Sequence, residues 1–315
     1  MSGGNNITSV ALAGKGRFGS VVLDELLKAG FEVTVLTRSA AGITGVPEGV
    51  KVIQVDYTSE ESLREAIKGQ DAVVSTVAGA AVASQKPLIN AAISAGMKHF
   101  IPADYAMSLR SPDVRNLPPY TDVHAIEEYL AEKSGQMQWT IVACGGFLEY
   151  VFDLPFVVDF GNRKLDMVSG GTAKFSTSKF VTAATAVAGV LRQPDRVKGH
   201  CVQVHAIPIT QSQIWEIIKR HDKRLSEWTV TEQDGDAKFQ EGLDMLKRGE
   251  LTMAAVSTLM AGATWGGKYK VAFDETDNDW LGVETISEQE LEEILKEKIE
   301  EGISSIASDT IVSDF

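Results

Sequence analysis

The sequence contains little cysteine, an excess of negative charge and no long apolar run. Two cysteines among 315 residues do not make a disulfide framework, which favours a reducing compartment. A formal net charge of −13 argues against binding to nucleic acid or to an anionic membrane, because both need a positive surface. No apolar run approaches the ~20 residues of a membrane helix, and residues 1–9 lack the apolar core of a secretory signal. We therefore predict a cytoplasmic protein with no nucleic-acid or membrane partner, and the oligomeric state stays open.

Metal-site and nucleophile motifs are also missing from the sequence. The 5 histidines show no metal-ligand spacing, and Cys144 and Cys201 are too far apart for C-x-x-C, so we predict no metal. The G-x-S-x-G motif of a serine hydrolase does not occur. The content of 44% apolar and 23% charged residues is that of an ordinary globular protein.

A glycine-rich motif near the N-terminus is the most informative feature that is present. The apolar segment Val10–Ala13 leads into G-x-G-x-x-G, and a helical pattern of apolar residues follows. The first glycine allows a tight turn, the second lets a pyrophosphate approach the backbone, and the third lets the helix pack against the strand. The positive end of that helix then faces the phosphates. The predicted dinucleotide-binding residues are Gly14, Lys15, Gly16, Arg17, Phe18 and Gly19.

The residue after the second predicted strand indicates which dinucleotide binds. The apolar run 31–37 ends in Arg38, where proteins that bind NAD carry an acidic residue for the ribose hydroxyls. A guanidinium suits the additional phosphate of NADP, because it grips phosphate through two hydrogen bonds. Lys15 adds positive charge within the glycine loop. The sequence therefore predicts NADP(H) rather than NAD(H).

Strand and helix patterns alternate through the first half of the chain and become less regular in the second. Near-continuous apolar strands separated by amphipathic helices predict an α/β fold of Rossmann type, with a doubly wound parallel sheet. We place the NADP-binding domain at residues 1–153 and a smaller substrate-binding lobe at 154–315. After the two strands already described, the predicted strands are 50–55, 71–77, 98–102, 139–143, 174–176 and 200–204. The predicted helices are 60–67, 85–95, 120–133, 179–191, 211–221, 236–262 and 287–301.

Several segments, taken in order, resemble the NmrA-like and isoflavone-reductase-like family of atypical short-chain dehydrogenases, in particular its fungal secondary-metabolism branch. They are the glycine loop, 37–38, 55–57, 69–77, 95–102, 145–148 and 175–177. The resemblance implies an NADP(H) site along the carboxyl ends of the strands and a substrate cleft between the sheet and the C-terminal lobe. It places Ser75, Thr76 and Val77 beside the cofactor, and Phe147 beside the nicotinamide.

The chain departs from the family at one position that matters for chemistry. Reductases of the family carry a lysine six residues before the tyrosine of a Tyr-Leu pair, and this lysine holds the ribose or relays a proton. The pair here is Tyr129-Leu130, so the lysine position is Val123. Valine cannot transfer a proton, and the neighbouring His124 points about 100° away on a helix.

Three other side chains are candidates for the acid–base role. The imidazole of a histidine such as His124 suits proton transfer near neutrality, although His124 also fits a helix-surface role. Asp104 and Tyr120 precede it near the expected entrance of the cleft. A carboxylate in an apolar cleft, for which Asp104 is the leading choice, would hold a cationic amine or iminium substrate or move a proton.

These features leave three functions open. The first is an NADPH-dependent reductase that acts on a small aromatic or heterocyclic, alkaloid-like metabolite. The second is a non-redox cyclase of Pictet–Spengler type that keeps NADP(H) without consuming it, and the loss of the lysine favours it. The third is an NADP-sensing regulatory protein, which binds NADP and thereby regulates a partner protein. Oxidation of NADPH in proportion to product separates the first from the other two.

Overall fold

A computed structural model of the chain describes residues 6–105, 117, 120–153, 158–197, 199–250 and 252–301. Its N-terminal half is built on six parallel strands. They are β1 (Ser9–Ala13), β2 (Glu32–Thr37), β3 (Lys51–Gln54), β4 (Ala72–Ser75), β5 (His99–Ile101) and β6 (Gln138–Trp139). The strands lie in the order β3-β2-β1-β4-β5-β6. This order confirms the predicted doubly wound sheet, in which ligands bind beyond the carboxyl ends where the order reverses, between β1 and β4.

Helices form the connections between successive strands except between β2 and β3, where a short 3-10 turn at Ala40–Gly42 lies in the connection. They are α1 (Arg17–Lys28), α2 (Glu60–Ala66), α3 (Gln85–Ser94) and α4 (Thr121–Glu132). All five residues of β1 are buried, and so is the face of α1 that carries Val22, Leu23 and Leu26. Burial of both faces of the sheet explains why the strands are continuous apolar runs in the sequence.

The second half adds short strands and longer helices. The strands are β7 (Ile141–Ala143), β8 (Gly146–Phe147), β9 (Lys164–Val168), β10 (Phe175–Ser178), β11 (Cys201–Gln203), β12 (Ile207–Ile209) and β13 (Thr229–Gln233). The helices are α5 (Leu148–Asp153), α6 (Phe180–Arg192), α7 (Gln211–His221), α8 (Gly235–Lys247), α9 (Met253–Trp265), α10 (Asn278–Leu281) and α11 (Glu288–Glu301). The buried face of α6, with Ala183 and Val187, shares a core with α1, whereas Ile214, Leu259 and Leu291 form a second core. The proposed division after residue 153 stays a prediction.

Two predicted elements are wrong in the same way, because each is two elements in the structure. The predicted strand 139–143 is interrupted at Thr140, since β6 pairs with β5 whereas β7 pairs with β11. The predicted helix 236–262 is divided into α8 and α9. Gly249, at a φ of +81°, takes the left-handed conformation that ends a helix, and the Thr252 side chain then accepts a hydrogen bond from the Ala255 N–H.

Acid sensitivity of the fold is expected from a buried histidine on β5. The His99 ring hydrogen-bonds to Thr140 Oγ1 at 2.9 Å, and burial lowers the pKa of His99 to about 4. The unfolded chain takes up this proton near the ordinary histidine pKa of 6.5, so the contribution to stability is complete above that pH and is lost as the pH falls towards 4. The loss is about 3 kcal/mol, because one pKa unit corresponds to about 1.4 kcal/mol.

Urea unfolding of the wild type and of His99→Gln tests this expectation. Glutamine retains a polar group for Thr140 but does not titrate. Between about pH 7 and about pH 4, the wild type should lose about 2–3 kcal/mol more than the variant. An equal loss in the two proteins would show that another group is responsible.

Candidate cofactor and active site

The glycine loop joins β1 to α1 in a backbone conformation that needs its glycines. Gly14 has a φ of +96°, and a Cβ built there would lie 3.1 Å from the Thr76 carbonyl carbon. A Cβ at Gly19 would lie 2.5 Å from the Gly14 oxygen and 2.6 Å from Thr76 Oγ1. Thr76 Oγ1 donates to the Gly14 carbonyl at 2.8 Å. Thr76 therefore holds the loop in place from the end of β4.

The start of α1 is arranged to receive an anion. Gly16 occupies the N-cap position with a φ of −79° and provides no side-chain cap for the first-turn N–H groups. These groups and the helix dipole favour a phosphate at this end. Lys15 folds back over the loop, where its Nζ donates to the Thr44 carbonyl at 2.8 Å and lies 3.3 Å from Ser20 Oγ.

Arg38 lies exposed just beyond the end of β2. Within the described ranges, no hydrogen bond or ion pair engages its guanidinium. It does act electrostatically on Tyr57: burial raises the pKa of Tyr57 to about 12, and the positive charge of Arg38 opposes that rise. The Tyr57 hydroxyl donates to the Leu36 carbonyl at 3.2 Å. A cation beside a phenol ring at this edge suits the phosphorylated adenosine end of NADP.

The end of β4 contributes the next predicted contacts. Ser75 is fully buried, and its Oγ has no partner among the described residues. Its carbonyl accepts a hydrogen bond from the Tyr105 hydroxyl at 2.9 Å. Val77 is partly buried against the core that contains β1. The orphaned Ser75 hydroxyl is consistent with a ligand at this edge of the sheet.

Five rings pack together between the glycine loop and α6, and we call them the aromatic cluster. Phe18 lies 4.7 Å from Tyr105 and 5.0 Å from Phe147, measured between ring centroids. Phe147 in turn lies 4.8 Å from Phe180 and 6.0 Å from Tyr150. The cluster therefore links the half-buried Phe147 to the glycine loop, and its place beside a nicotinamide stays a prediction.

Arg17 extends from the first turn of α1 towards α5. Its guanidinium lies 5.3 Å from the centre of the Tyr150 ring and 5.6 Å from that of Phe180. Nη2 donates to Asp153 Oδ2 at 3.2 Å, and Lys298 Nζ holds the other oxygen of Asp153 at 2.9 Å. Arg17 Nη1 is buried and has no partner among the described residues.

Glu149 is the residue that the sequence analysis missed at this site. Its Oε1 accepts a hydrogen bond from the Phe180 N–H at 2.9 Å, whereas its Oε2 is buried without a partner in the described part of the chain. Burial raises the pKa of Glu149, and the positive charge of Arg17 partly offsets this effect. The only signal in the sequence is its position two residues after Phe147.

The three predicted acid–base residues lie in one neighbourhood. The rings of Tyr120 and His124 are 6.1 Å apart, one turn of α4 from each other. Burial raises the pKa of Tyr120 well above its ordinary value, and the negative charge of Asp104 adds to the rise. The Tyr120 hydroxyl donates to Met260 Sδ at 3.2 Å. His124 Nδ1 lies 3.3 Å from Glu127 Oε2, and its Nε2 is buried with no partner among the described residues.

Comparisons with known proteins agree with this geometry. Residues 13–150 match the NAD(P)H-binding domain family. The chain is 28% identical over 243 residues, 72% of this chain and 76% of that protein, to oxidoreductase poxI of Penicillium oxalicum. It is 28% identical over 152 residues, 44% of this chain and 48% of that protein, to isoflavone reductase homolog A622 of Nicotiana glauca.

These matches support an NmrA-like, isoflavone-reductase-like family, as the resemblance implied. The matched segment 13–150 is an NAD(P)H-binding domain. The fold agrees with that of leucoanthocyanidin reductase bound to NADPH from Vitis vinifera, with a TM-score of 0.65 and 16% identity over 92% of this chain and 99% of that one. Among the described helices, none is long and apolar enough to cross a membrane.

The position of the lysine in NmrA-like reductases has a structural role in this chain. Val123 is partly buried and packs against the core beneath α3 and α4, which includes Ile126 and Leu130. A lysine at this position would carry its charge towards apolar side chains unless it turned out of the core. The substitution thus removes a charge from α4 and adds an apolar contact.

A cavity of about 930 Å³ lies in the C-terminal half. Phe239, Leu243 and Tyr269 provide apolar walls, and Lys268 Nζ lies 5.4 Å from the Phe239 ring centre and 5.7 Å from that of Tyr269. Leu117 also lines the cavity, and its carbonyl accepts a hydrogen bond from the Tyr120 N–H at 2.9 Å. The cavity thus adjoins the segment that leads into the predicted acid–base residues, and its size suits a small organic ligand.

Proposed function

We propose that this protein is a cytoplasmic NADPH-dependent reductase of a small aromatic or heterocyclic, alkaloid-like metabolite. The observation that carries the cofactor choice is the guanidinium of Arg38, which has no partner in the described structure and follows β2 at the edge where the dinucleotide binds. The reductase assignment rests on the match to the NAD(P)H-binding domain family and on the similarity to oxidoreductase poxI.

Each part of the proposed cofactor site has a distinct task. The first-turn N–H groups of α1 bind the pyrophosphate, with Gly16 keeping the approach open. Arg38 holds the 2′-phosphate, and Phe147 forms a wall beside the nicotinamide. When bound, NADPH supplies a hydride. The orphaned Ser75 hydroxyl and the small loop residues support the fit of a dinucleotide at this edge.

The chain must also provide a proton donor in place of the family's lysine. Tyr120 is a weak acid here, because burial and the nearby Asp104 raise its pKa. His124 presents a buried Nε2 with no partner among the described residues, and Glu127 orients the ring through Nδ1. We propose that His124 holds the proton at Nε2 and that the Tyr120 hydroxyl turns from Met260 Sδ to donate a hydrogen bond that positions the substrate.

The aromatic walls of the cavity support the proposed substrate class. A flat ring would pack against Phe239 and Tyr269, whose centroids are 5.6 Å apart, and Asp236 and Gln240 offer oxygens to a polar group at the same rim.

A non-redox cyclase is the second candidate, and Val123 is the observation that favours it. If no proton is delivered to a reduced substrate, the family's lysine becomes unnecessary and its position is free to join the core. In that case Asp104 holds an iminium substrate during ring closure of Pictet–Spengler type, and the bound NADP(H) is retained unchanged.

Parallel measurement of product and of NADPH oxidation distinguishes the two candidates. With candidate carbonyl or iminium substrates, a reductase oxidises one NADPH for each product molecule. We expect His124→Ala to lower the rate about 10²-fold or more, the scale of general acid catalysis, and Tyr120→Phe to lower it less.

The same assay can also give results that contradict the reductase proposal. Product formed at full rate when only the oxidised cofactor NADP⁺ is supplied would reject the reductase and favour the cyclase. Asp104→Asn should then have the largest effect on the rate. No product from any substrate, together with NADP-dependent capture of a protein partner, would favour a sensor.

A further inference from the structure

Two buried polar atoms, neither of which has a partner among the described residues, belong to side chains that both lie against Phe180 of the aromatic cluster. One is the donor Arg17 Nη1 and the other is the acceptor Glu149 Oε2. The two side chains are close enough to interact electrostatically, yet the structure records no ion pair between them. An unpaired buried donor or acceptor is costly, so a ligand that satisfies both would gain affinity.

Both side chains are held in place through their other polar atoms. Asp153 fixes the guanidinium at Nη2, and Lys298 fixes Asp153 from α11. The Phe180 N–H fixes the carboxyl group at Oε1. Since these contacts fix one polar atom of each side chain, they restrict the orientation of Nη1 and Oε2 before any ligand arrives.

The chemistry of the pair limits the groups that fit it. Phosphates and carboxylates offer acceptors alone and would be repelled by Glu149, whereas an ammonium group would be repelled by Arg17. A neutral group that presents one acceptor and one donor side by side satisfies both atoms. A primary carboxamide has this arrangement, with its oxygen for Arg17 and its N–H for Glu149.

We propose that Arg17 and Glu149 together recognise the carboxamide of the nicotinamide ring. Arg17 donates to the amide oxygen, Glu149 accepts from the amide nitrogen, and the neighbouring Phe18 and Phe147 contact the flat ring. The inference rests on the proposed function only for the orientation of the cofactor, with the nicotinamide beside Phe147. It does not require hydride transfer.

Calorimetric titration of the full-length protein with three ligands tests the pair. NADP⁺ carries the carboxamide, its 3-acetylpyridine analogue keeps the carbonyl but has a methyl group in place of the amide nitrogen, and 2′-phospho-ADP-ribose lacks the ring. The wild type should bind NADP⁺ about tenfold more tightly than the analogue, the effect of one hydrogen bond to a charged group.

Glu149→Gln is the informative variant, because glutamine still offers an oxygen to the Phe180 N–H. We expect NADP⁺ and the analogue to bind it within about twofold of each other, with unchanged affinity for 2′-phospho-ADP-ribose. Glu25→Gln is the matched control, since the Glu25 carboxyl group on α1 also accepts a hydrogen bond from α6, through Thr185, but takes no part in the pair. The control should retain the wild-type preference.

Arg17→Gln provides an independent variant. Because both NADP⁺ and the analogue keep the carbonyl, this change should weaken the binding of both ligands by the same factor. The ratio of their two affinities should therefore stay unchanged. The assignment would be overturned if Arg17→Gln no longer preferred NADP⁺ to the analogue. It would also be overturned if Glu149→Gln kept that preference.

Two further results would also overturn it. One is a wild type that does not distinguish NADP⁺ from the analogue, and the other is a Glu149→Gln variant that loses 2′-phospho-ADP-ribose equally, which would indicate a ribose contact or a structural role. A protein that discriminates as expected but never oxidises NADPH would contradict the reductase proposal alone. A wild type that binds none of the three ligands would contradict both.

Discussion

Arg38→Glu is expected to weaken NADP⁺ binding by about 2 kcal/mol or more, roughly thirtyfold, while NAD⁺ binding changes much less. Hydrogen bonds to charged groups contribute about 1.5–3 kcal/mol each, and the substituted carboxylate would also repel the 2′-phosphate. The fold should not change, because Arg38 is exposed and makes no hydrogen bond or ion pair with the residues that the structure describes.

Titrations with both dinucleotides measure this effect, and Arg64→Glu is the matched control. Arg64 is an exposed arginine on α2, so its reversal changes the net charge equally without touching the proposed phosphate site. Thirtyfold weakening by Arg38→Glu alone supports the assignment. Equal NADP⁺ curves for wild type and Arg38→Glu would place the 2′-phosphate elsewhere.

Gly16→Val should lower the affinity for NADP⁺ about 10²-fold or more, which abolishes binding at ordinary cofactor concentrations. The melting temperature should change little. The φ of −79° at Gly16 is one that any residue adopts, so the valine does not strain the backbone. Its side chain would instead occupy the approach to the first-turn N–H groups, where the pyrophosphate must come close. Calorimetry and thermal unfolding of the same sample measure both effects.

Gly19→Ala is the contrasting variant within the same motif. A Cβ there would lie 2.5 Å from the Gly14 oxygen, so we expect it to lower the melting temperature as well as the affinity. If Gly16→Val binds NADP⁺ normally, the phosphates lie outside the glycine loop and the proposed site is wrong.

The cofactor half of the molecule was predictable because its signals are local. Three features follow one another within 25 residues: the turn at Gly14, the helix after it and the cation at Arg38. Each is a residue type that the backbone conformation or the charge of the proposed site needs. Helix α7 was predicted with the bounds that the structure shows, since Thr210 provides an N-cap and an apolar stripe follows it.

The remaining features depend on contacts between distant segments. The division of 138–143 into two strands depends on β11, about 60 residues later, and no pattern inside the segment reveals it. Glu149 acquires its importance from the Phe180 N–H and from Arg17, which lie far from it in the sequence. The sequence placed Asp104, Tyr120 and His124 near one another, but the raised pKa of Tyr120 follows from its burial in the fold.

A structure of the protein soaked with NADP⁺ tests the central claim most directly. We predict the 2′-phosphate at Arg38, the pyrophosphate at the start of α1 beside Gly16, and the nicotinamide beside Phe147, with its reactive carbon open towards the side of the site that holds His124. A dinucleotide bound away from the carboxyl ends of β1 and β4, or a nicotinamide turned away from Phe147, would contradict the account.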